Sequence, residues 1–394
     1  MFLERLKISN FKTYADLDVE FCPNVNCLVG DNGVGKTNLL EAIYYLSFCK
    51  SFTSLSDTQN IRQGEEFFAI HGRYVDGNGI RNEELGMRNE ELGMRNEELG
   101  MRNEDRVQVS CVQKRGQAKQ MLWGKKAYKT LGEHIGRIPL VIISPVDQNI
   151  INGGSEVRRK FIDGVISQVD GGYLGHLLQY QKALEQRNKL LKQFYEDRAW
   201  DENSIAIWDE QLVRHGEVLY EGRQSFLKEF EPLFNDYFGW ITDSQETARM
   251  EYVSRANQPL RQQLSDARQN DKYAQYTTVG PHKDDLELTI GDFAVKRFGS
   301  QGQQKTFVLA LKLAQFEYLY RHTGRKPILL LDDIFDKLDM NRVTQLIHLV
   351  GSDRFGQVLL TDTQPGRVQQ IFEQIPQVEH RIFSVKNGEL EIRN

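Results

Sequence analysis

Two short stretches near opposite ends of this chain constrain its fold more than anything else in the sequence. GDNGVGKT, residues 30–37, follows the apolar run NVNCLV and precedes LLEAIYYLSF, which is apolar on a helical period. That is the strand, glycine-rich turn and helix of a phosphate-binding loop, G-x-x-x-x-G-K-[ST]. ILLLDD, ending at Asp333, reads as a buried parallel strand that delivers two carboxylates at its C-terminal end. Open α/β sheets bind their ligands at such ends. Yet Thr37 and Asp332 are 295 positions apart. A single site built from both requires a domain that is interrupted and later resumed.

The residue types explain the chemistry. Gly30, Gly33 and Gly35 let backbone N–H groups wrap phosphate oxygens, with Asp31, Asn32 and Val34 as the intervening loop positions. Lys36 supplies a point charge to the β- and γ-phosphates, and the helix N-terminus adds the positive end of its dipole. Thr37 offers its hydroxyl to magnesium, which Asp332 holds directly or through water. Asp333 is the candidate to orient or deprotonate an attacking water, so Lys36 and Asp333 are the catalytic candidates. A chance glycine-rich turn is the bland alternative, and the strand–loop–helix context argues against it. Between the two stretches lies FGSQGQQKTFVLALKLA, where Ser300, Gln301, Gly302 and Gln303 open a long amphipathic helix. Ser300 on the simplest reading is its N-cap. One nucleotide needs only one phosphate loop, so a second helix start able to receive an anion points to the ATP of a partner subunit.

The intervening chain changes character twice. Residues 1–150 carry strand patterns around the phosphate loop, ending in IPLVIIS. Residues 155–275 are dominated by helix-forming sequence, with Leu177, Leu184 and Leu191 seven apart and a second stripe of Ile205, Trp208, Leu212, Leu219 and Phe226. Two such helices joined around AWDENS predict an antiparallel hairpin, with core packing as the reason for the stripes. From 276 to 394 strand patterns return: LELTI, FAVKRF, PILLLDD and QVLLTD alternate with helical stretches. The expectation is a discontinuous α/β head, 1–150 plus 276–394, interrupted by a helical lobe at 155–275.

Within the head sits a repeat: RNEELGM occurs three times, at 81–87, 88–94 and 95–101, followed by RNED. A seven-residue period invites a coiled coil, but Leu and Met recur at two and five rather than three and four, and each repeat carries a glycine. Between strand-like flanks, residues 81–105 read as an expanded hairpin loop, with an interaction tag as the lesser reading.

The 394 residues are 40% hydrophobic and 27% charged, with formal net charge −5. This excludes a uniformly basic nucleic-acid binder. The repeat segment holds four arginines against eight acids, and without it the chain is close to neutral, so DNA contact requires a local basic surface. Arg158, Arg159 and Lys160 open the helical lobe, and Lys182, Arg187, Lys189 and Lys192 follow; they are candidate phosphate contacts, or else a solvated helix face. With no aromatic platform visible, duplex backbone contact is the better expectation. No apolar run approaches the ~18 residues of a membrane span, and no signal-peptide core opens the chain. Cys22, Cys27, Cys49 and Cys111 lack metal-ligand spacing and read as buried thiols in a reducing cytosol.

The phosphate loop, the SxG-type signature ahead of a magnesium aspartate, and FDKLD after it resemble the ABC-type ATPase heads of the SMC superfamily. KISNFKTY resembles the Asn-Phe-Arg/Lys start of those heads. The stretches GDNGVGKTNLLEAIYYLS, ISPVDQNIINGGSEVRRKFID, LQYQKALEQRNKLLK, TTVGPHKDDLEL, FGSQGQQKTFVLALKLAQ and ILLLDDIFDKLD narrow the resemblance to the bacterial recombination-mediator branch. The resemblance implies a two-lobed P-loop ATPase head whose short antiparallel helical arm replaces a long coiled coil. It implies ATP and Mg2+ as cofactors, an ATP-dependent homodimer with each ATP between one chain's Lys36 and the other's Ser300, and slow, DNA-stimulated hydrolysis coupled to dimer dissociation. It also implies a cytoplasmic role in DNA repair, replication restart and the SOS response. There the chain would bind double-stranded and gapped or junction DNA and work with RecR and RecO in loading RecA. Carried over by position, Lys12, Asn32, Lys36, Thr37 and Asn38 contact nucleotide or magnesium, Asp333 stands where many heads have glutamate, and Asp339 falls in the dimer-facing D-loop.

Three departures stand out. The repeat block has no counterpart. ISPVDQ lacks a clear Q-loop glutamine, leaving Gln148 or Asp147 nearest that role. The switch position is Thr361-Asp362-Thr363 rather than histidine, which makes a sensor threonine within it a candidate. The competing readings are a transporter-type ATPase subunit, disfavoured by the helical insertion and missing switch histidine, and a metabolic kinase, in which the signature turn has no purpose.

Overall fold

The computed structural model describes the chain apart from residues 54, 77–105, 199, 243–246, 255–257, 335–353, 375–377, 387 and 394. The RNEELGM repeats, the helical pattern MNRVTQLIHLV and Asp339 therefore lie outside the described residues. Contacts divide the chain into two units, Met1–Val146 with Leu319–Asn394, and Asp147–Tyr318.

The first unit holds two six-stranded sheets. Its strands are β1 (Phe2–Phe11), β2 (Tyr14–Glu20), β3 (Val25–Val29), β4 (Phe67–Val75), β5 (Arg106–Lys114), β6 (Gln120–Trp123), β7 (Lys126–Ala127) and β8 (Leu140–Ile143). The second unit contributes β9 (Ala248–Val253), β10 (Asp285–Ile290) and β11 (Phe293–Ala294), after which the first resumes with β12 (Ile328–Leu331), β13 (Val358–Asp362), β14 (His380–Lys386) and β15 (Glu389–Arg393). One sheet is antiparallel, in the order β2-β1-β4-β5-β6-β7. Leu3, Leu6, Ile8 and Phe11 of β1 are buried, and a register irregularity between Leu3 and Arg5 accommodates the three-residue step that breaks strict alternation.

The other sheet, β15-β14-β3-β13-β12-β8, is parallel except for its β15 edge. VNCLV, LVII, ILLL and VLLTD are buried throughout, as expected where both faces of a parallel sheet are covered. This sheet closes the sequence gap. Leu331 pairs with Ile143 on one side and Leu360 on the other, while Asp362 pairs with Val29. The C-terminal ends of β3, β12 and β13 thus share one edge. Helix α1 (Lys36–Phe48) leaves that edge, and its Tyr45 meets Phe11 and Phe68 edge to face at 5.8 and 5.5 Å.

In the second unit, α2 (Ser155–Val169) is followed by a hairpin of α3 (Gly171–Glu196) and α4 (Glu202–Thr242), and then by α5 (Leu260–Ala274). Leu177, Tyr180, Leu191 and Phe194 are buried on α3, and Ile205, Leu212, Leu219 and Phe226 on α4, so the stripes are core. Helix α4 runs on through Pro232. The strand β10 corresponds to LELTI; it pairs antiparallel with β9 and packs on α2, which groups it with the helices, whereas the sequence reading placed the return to the head at 276. FAVKRF does not form the expected strand: only Phe293–Ala294 is extended, and Val295–Phe298 is a helical turn. Helix α6 (Gln301–Thr323) follows. Among the described residues, no helix is long and apolar enough to cross a membrane. All four cysteines are buried free thiols.

The basic residues singled out as DNA contacts divide by burial. Arg158 is buried and donates to both carboxylate oxygens of Asp285, at 2.7 and 2.9 Å, and to the Gly153 carbonyl at 3.0 Å. Arg159 donates to the Asp284 carbonyl, and its burial holds its pKa below the usual arginine value. Of the three residues that open the lobe, only Lys160 is exposed, in an i,i+4 pair with Glu156 at 2.7 Å, and Lys182, Lys189 and Lys192 are exposed on α3. Arg187 is also interior: it donates to Asp209 and Asp271, both at 2.6 Å, and to Thr277 at 2.9 Å. Arg158 and Arg187 are thus corrected from surface contacts to structural ion pairs, because their neighbours in space supply carboxylates that their neighbours in sequence do not. Truncation of Arg187 to alanine strands two carboxylates, and a loss of about 3–5 kcal/mol is expected. Lys182→Ala, on the exposed face, should stay within about 0.5 kcal/mol. Urea unfolding of both variants checks this, and equal effects would contradict the assignment.

Candidate functional site

The loop after β3 has the backbone that its glycines allow. Gly33 and Gly35 have φ of 83° and 115°, a region that L side chains rarely adopt. At Gly35 a Cβ would also meet Thr13 Oγ1 at 2.8 Å, and Tyr14 donates its hydroxyl to the Gly35 carbonyl at 3.0 Å. The loop is tied to the sheet edge by Gly30 N–H donating to the Asp362 carbonyl at 3.3 Å. Asp31, Asn32 and Gly33 are exposed, with Val34 half-buried. Lys36 is buried and reaches back across the loop, its Nζ donating to the carbonyls of Gly30 at 2.8 Å and Asp31 at 2.9 Å.

The two motifs meet through a hydrogen bond. Thr37 Oγ1 lies 2.9 and 3.1 Å from the two oxygens of Asp332. Thr361, fully buried at the end of β13, lies 3.0 Å from Asp332 Oδ1 and accepts the Asp333 N–H at 2.9 Å. Asp333 has a φ of 46°, a left-handed conformation that aspartate tolerates better than most residues. Burial pushes the Asp332 carboxyl above its ordinary value, with Asp333 adding to the shift, while hydrogen bonds from Thr37 and Thr361 and the charge of Lys36 oppose it. Asp362, next to Thr361, is occupied by Arg367 at 2.6 and 2.8 Å.

Lys12 stands beside this constellation with a φ of 50°. Its ammonium pairs with Glu41, a fully buried acid on α1 whose other oxygen accepts from Thr53 at 2.9 Å and from Ser51. Asn38 Nδ2 donates to Thr13 Oγ1 at 3.0 Å. Lys12, Thr13, Gly33, Val34, Arg62 and Gln63 line a cavity of about 490 Å3, within the ~300–1,000 Å3 usual for small-molecule sites. Glu41, Arg62 and Gln63 were not among the sequence candidates. An acid inside the apolar run LLEAIYYL was a usable signal for Glu41; nothing local marked Arg62 or Gln63.

In the second unit the signature turn forms a reciprocal cap. Gln303 N–H donates to Ser300 Oγ at 3.2 Å, and Ser300 N–H donates to Gln303 Oε1 at 2.9 Å. Ser300 and Gln301 are exposed, with Gly302 and Gln303 half-buried. Asp147, one of the two Q-loop candidates, is held by Lys312 at 2.8 Å.

Oxygen ligands around a carboxylate, beside a loop of backbone N–H groups and a lysine, suit a phosphorylated ligand with a hard cation. Comparison with known proteins agrees. Residues 2–388 match the model of the RecF/RecN/SMC N terminal domain. The chain is 44% identical to the DNA replication and repair protein RecF of Phocaeicola vulgatus, over 100% of this chain and 99% of that one. It is 43% identical to the protein of the same name from Flavobacterium johnsoniae, over 98% of this chain and 100% of that one. A solved structure of the recombination mediator protein RecF with ATP superposes with a TM-score of 0.85 at 28% identity, covering 100% of this chain and 98% of that one. An Smc head bound to the C-terminal winged-helix domain of ScpA, at 14% identity and a TM-score of 0.55 over 100% of this chain and 97% of that one, shares the fold alone. The fold is that of an ABC/SMC-type ATPase head with a helical insertion, and the chain belongs to the RecF family of DNA replication and repair proteins.

Proposed function

We propose that this chain is an ATP-dependent, DNA-binding recombination mediator with weak ATPase activity. The observation that carries the reading is the Thr37–Asp332 hydrogen bond, which brings a phosphate loop and a Walker-type aspartate to one sheet edge. Relatives named as replication and repair proteins, and a relative solved with ATP, support it. In this reading the N–H groups of residues 30–37 bind the β- and γ-phosphates, and Lys36 exchanges its loop carbonyls for phosphate oxygens. Thr37 and Asp332 fit Mg2+, which when bound neutralises phosphate charge. Asp333 orients the attacking water, and Thr361 holds both aspartates in place. Arg62 adds positive charge at the cavity, and Lys12 lines it while paired with Glu41.

Ser300 to Gln303, at a helix start with Ser300 and Gln301 exposed, serve the ATP of a second copy, so nucleotide drives dimerisation. The dimer binds duplex and gapped or junction DNA through phosphate contacts, to which Lys160 and the exposed Lys182, Lys189 and Lys192 contribute more than Arg158. RecO, RecR and RecA follow as partners in a cytoplasmic repair pathway.

Three outcomes are expected. Lys36→Ala weakens ATP binding at least about tenfold, the equivalent of one charge-assisted hydrogen bond. Ser300→Arg binds ATP normally but stays monomeric by light scattering; ATP-dependent dimers of that variant, or monomeric wild type with ATP, would sink the sandwich arrangement. Thr361→Val removes one of the hydrogen bonds that hold the Asp332 carboxyl down, so its pKa rises further and the carboxylate needed by the cation is lost as pH falls. The deficit in Mg2+–ATP affinity should therefore widen as pH falls, and calorimetry over a descending pH series tests this. A salt titration of duplex, single-stranded and gapped DNA, with and without ATP, tests the DNA reading: affinity should fall with salt and rise with ATP.

A further inference from the structure

The second unit contains a cavity of about 240 Å3 that the nucleotide chemistry does not use. It lies between α4, the start of α5 and the segment TVGPHKD, one of the stretches singled out in the sequence. The volume falls below the ~300–1,000 Å3 of pockets that hold whole cofactors, so it suits a single side chain.

Its charge is unbalanced. Glu217 and Glu221 stand one turn apart on the exposed face of α4, a like-charged i,i+4 pair that a helix disfavours. Neither has an ion-pair partner among the described residues. Some exposed acids on these helices do have one: Glu156 with Lys160, Glu185 with Lys189, and Glu210 with Arg261. The other charged groups lining the cavity are already engaged. Asp284 accepts from Tyr252 at 2.5 Å and Ser254 at 2.7 Å, and the Lys283 ammonium sits 4.7 Å from the centre of the Tyr276 ring. What remains is a pair of carboxylates and apolar walls from Leu260 and Pro281, with Tyr220 between the two acids in sequence, its ring 5.8 Å from that of Tyr252 and its hydroxyl accepting from Gln224 at 2.8 Å.

We propose that this cavity docks an arginine side chain presented by a partner protein. A guanidinium stacks on an aromatic face and offers a planar fork of donors to two carboxylates, which a compact ammonium does not. The apolar walls take its aliphatic stem, and an arginine seated in a desolvated pocket is a common anchor of protein interfaces. The assignment does not depend on the nucleotide reading.

N-acetyl-arginine amide titrated into the full chain, followed by tyrosine fluorescence and by NMR, tests it. Saturable binding is expected, with at least tenfold weaker binding for N-acetyl-citrulline amide, which keeps the shape without the charge. Glu217→Gln/Glu221→Gln should reduce affinity at least tenfold and Tyr220→Leu by a smaller factor, while Glu185→Gln, outside the cavity, leaves it unchanged. The substituted glutamates are exposed, and an unchanged thermal transition confirms folding. Absence of saturation, equal binding of citrulline, or an unaffected double variant overturns the proposal. Spermidine binding as tightly as the arginine amide would also overturn it, since the occupant would then be a free polyamine.

Discussion

The hydrogen bond between Thr37 and Asp332 is the contact on which the rest of the arrangement depends. It joins the first turn of α1 to the end of β12, and it forms because β3, β13 and β12 run parallel in adjacent positions. A parallel sheet places all its C-terminal strand ends on one edge, so residues far apart in sequence reach the same place without special loops. Thr361 at the end of the strand between them joins both aspartates to that edge. Lost registry of β13 would therefore displace the phosphate loop, through Gly30 and Asp362, and the aspartates, through Thr361, together.

Electrostatics at this edge follow from burial. Asp332 is taken out of water beside a second aspartate, and both factors favour the protonated form. Thr37, Thr361 and Lys36 act in the opposite direction and favour the carboxylate. Nearby, a different solution serves Lys12: the fully buried Glu41 neutralises it and is itself satisfied by Ser51 and Thr53. The second unit uses arginine in the same manner, with Arg158 and Arg187 acting as interior struts rather than as a surface for phosphates. A buried charge is costly unless it is paired and hydrogen-bonded; each of these three has a carboxylate or ammonium partner, although Arg187 Nη2 has no hydrogen-bond partner among the described residues.

Local sequence was informative where a motif carries its own backbone requirements. GDNGVGKT specified strand, loop and helix because glycine at positive φ and a helix-starting lysine leave few alternatives. Fully apolar ILLL and VLLTD specified a parallel sheet covered on both faces, and the leucine stripes specified a helical hairpin. Legibility failed where function or burial depends on partners from elsewhere in the chain. FAVKRF has strand-like composition but turns helical after two residues. Arg187 lies on a helix with exposed lysines, and only Asp209 and Asp271 reveal that it is interior. Arg62 and Gln63 reach the cavity through a segment without any recognisable motif.

By itself, then, the sequence determined that there is a phosphate loop, that an aspartate pair ends a buried strand, and that a helical segment interrupts an α/β domain. Those properties rest on short-range patterning, glycine geometry and hydrophobic period. Only the tertiary structure decided which charges are neutralised, which threonine holds the aspartates, and that Glu217 and Glu221 stand beside a cavity without an ion-pair partner among the described residues. A charge has no fixed role until the fold sets its distance from other charges and from water, and most of those neighbours lie tens to hundreds of residues away.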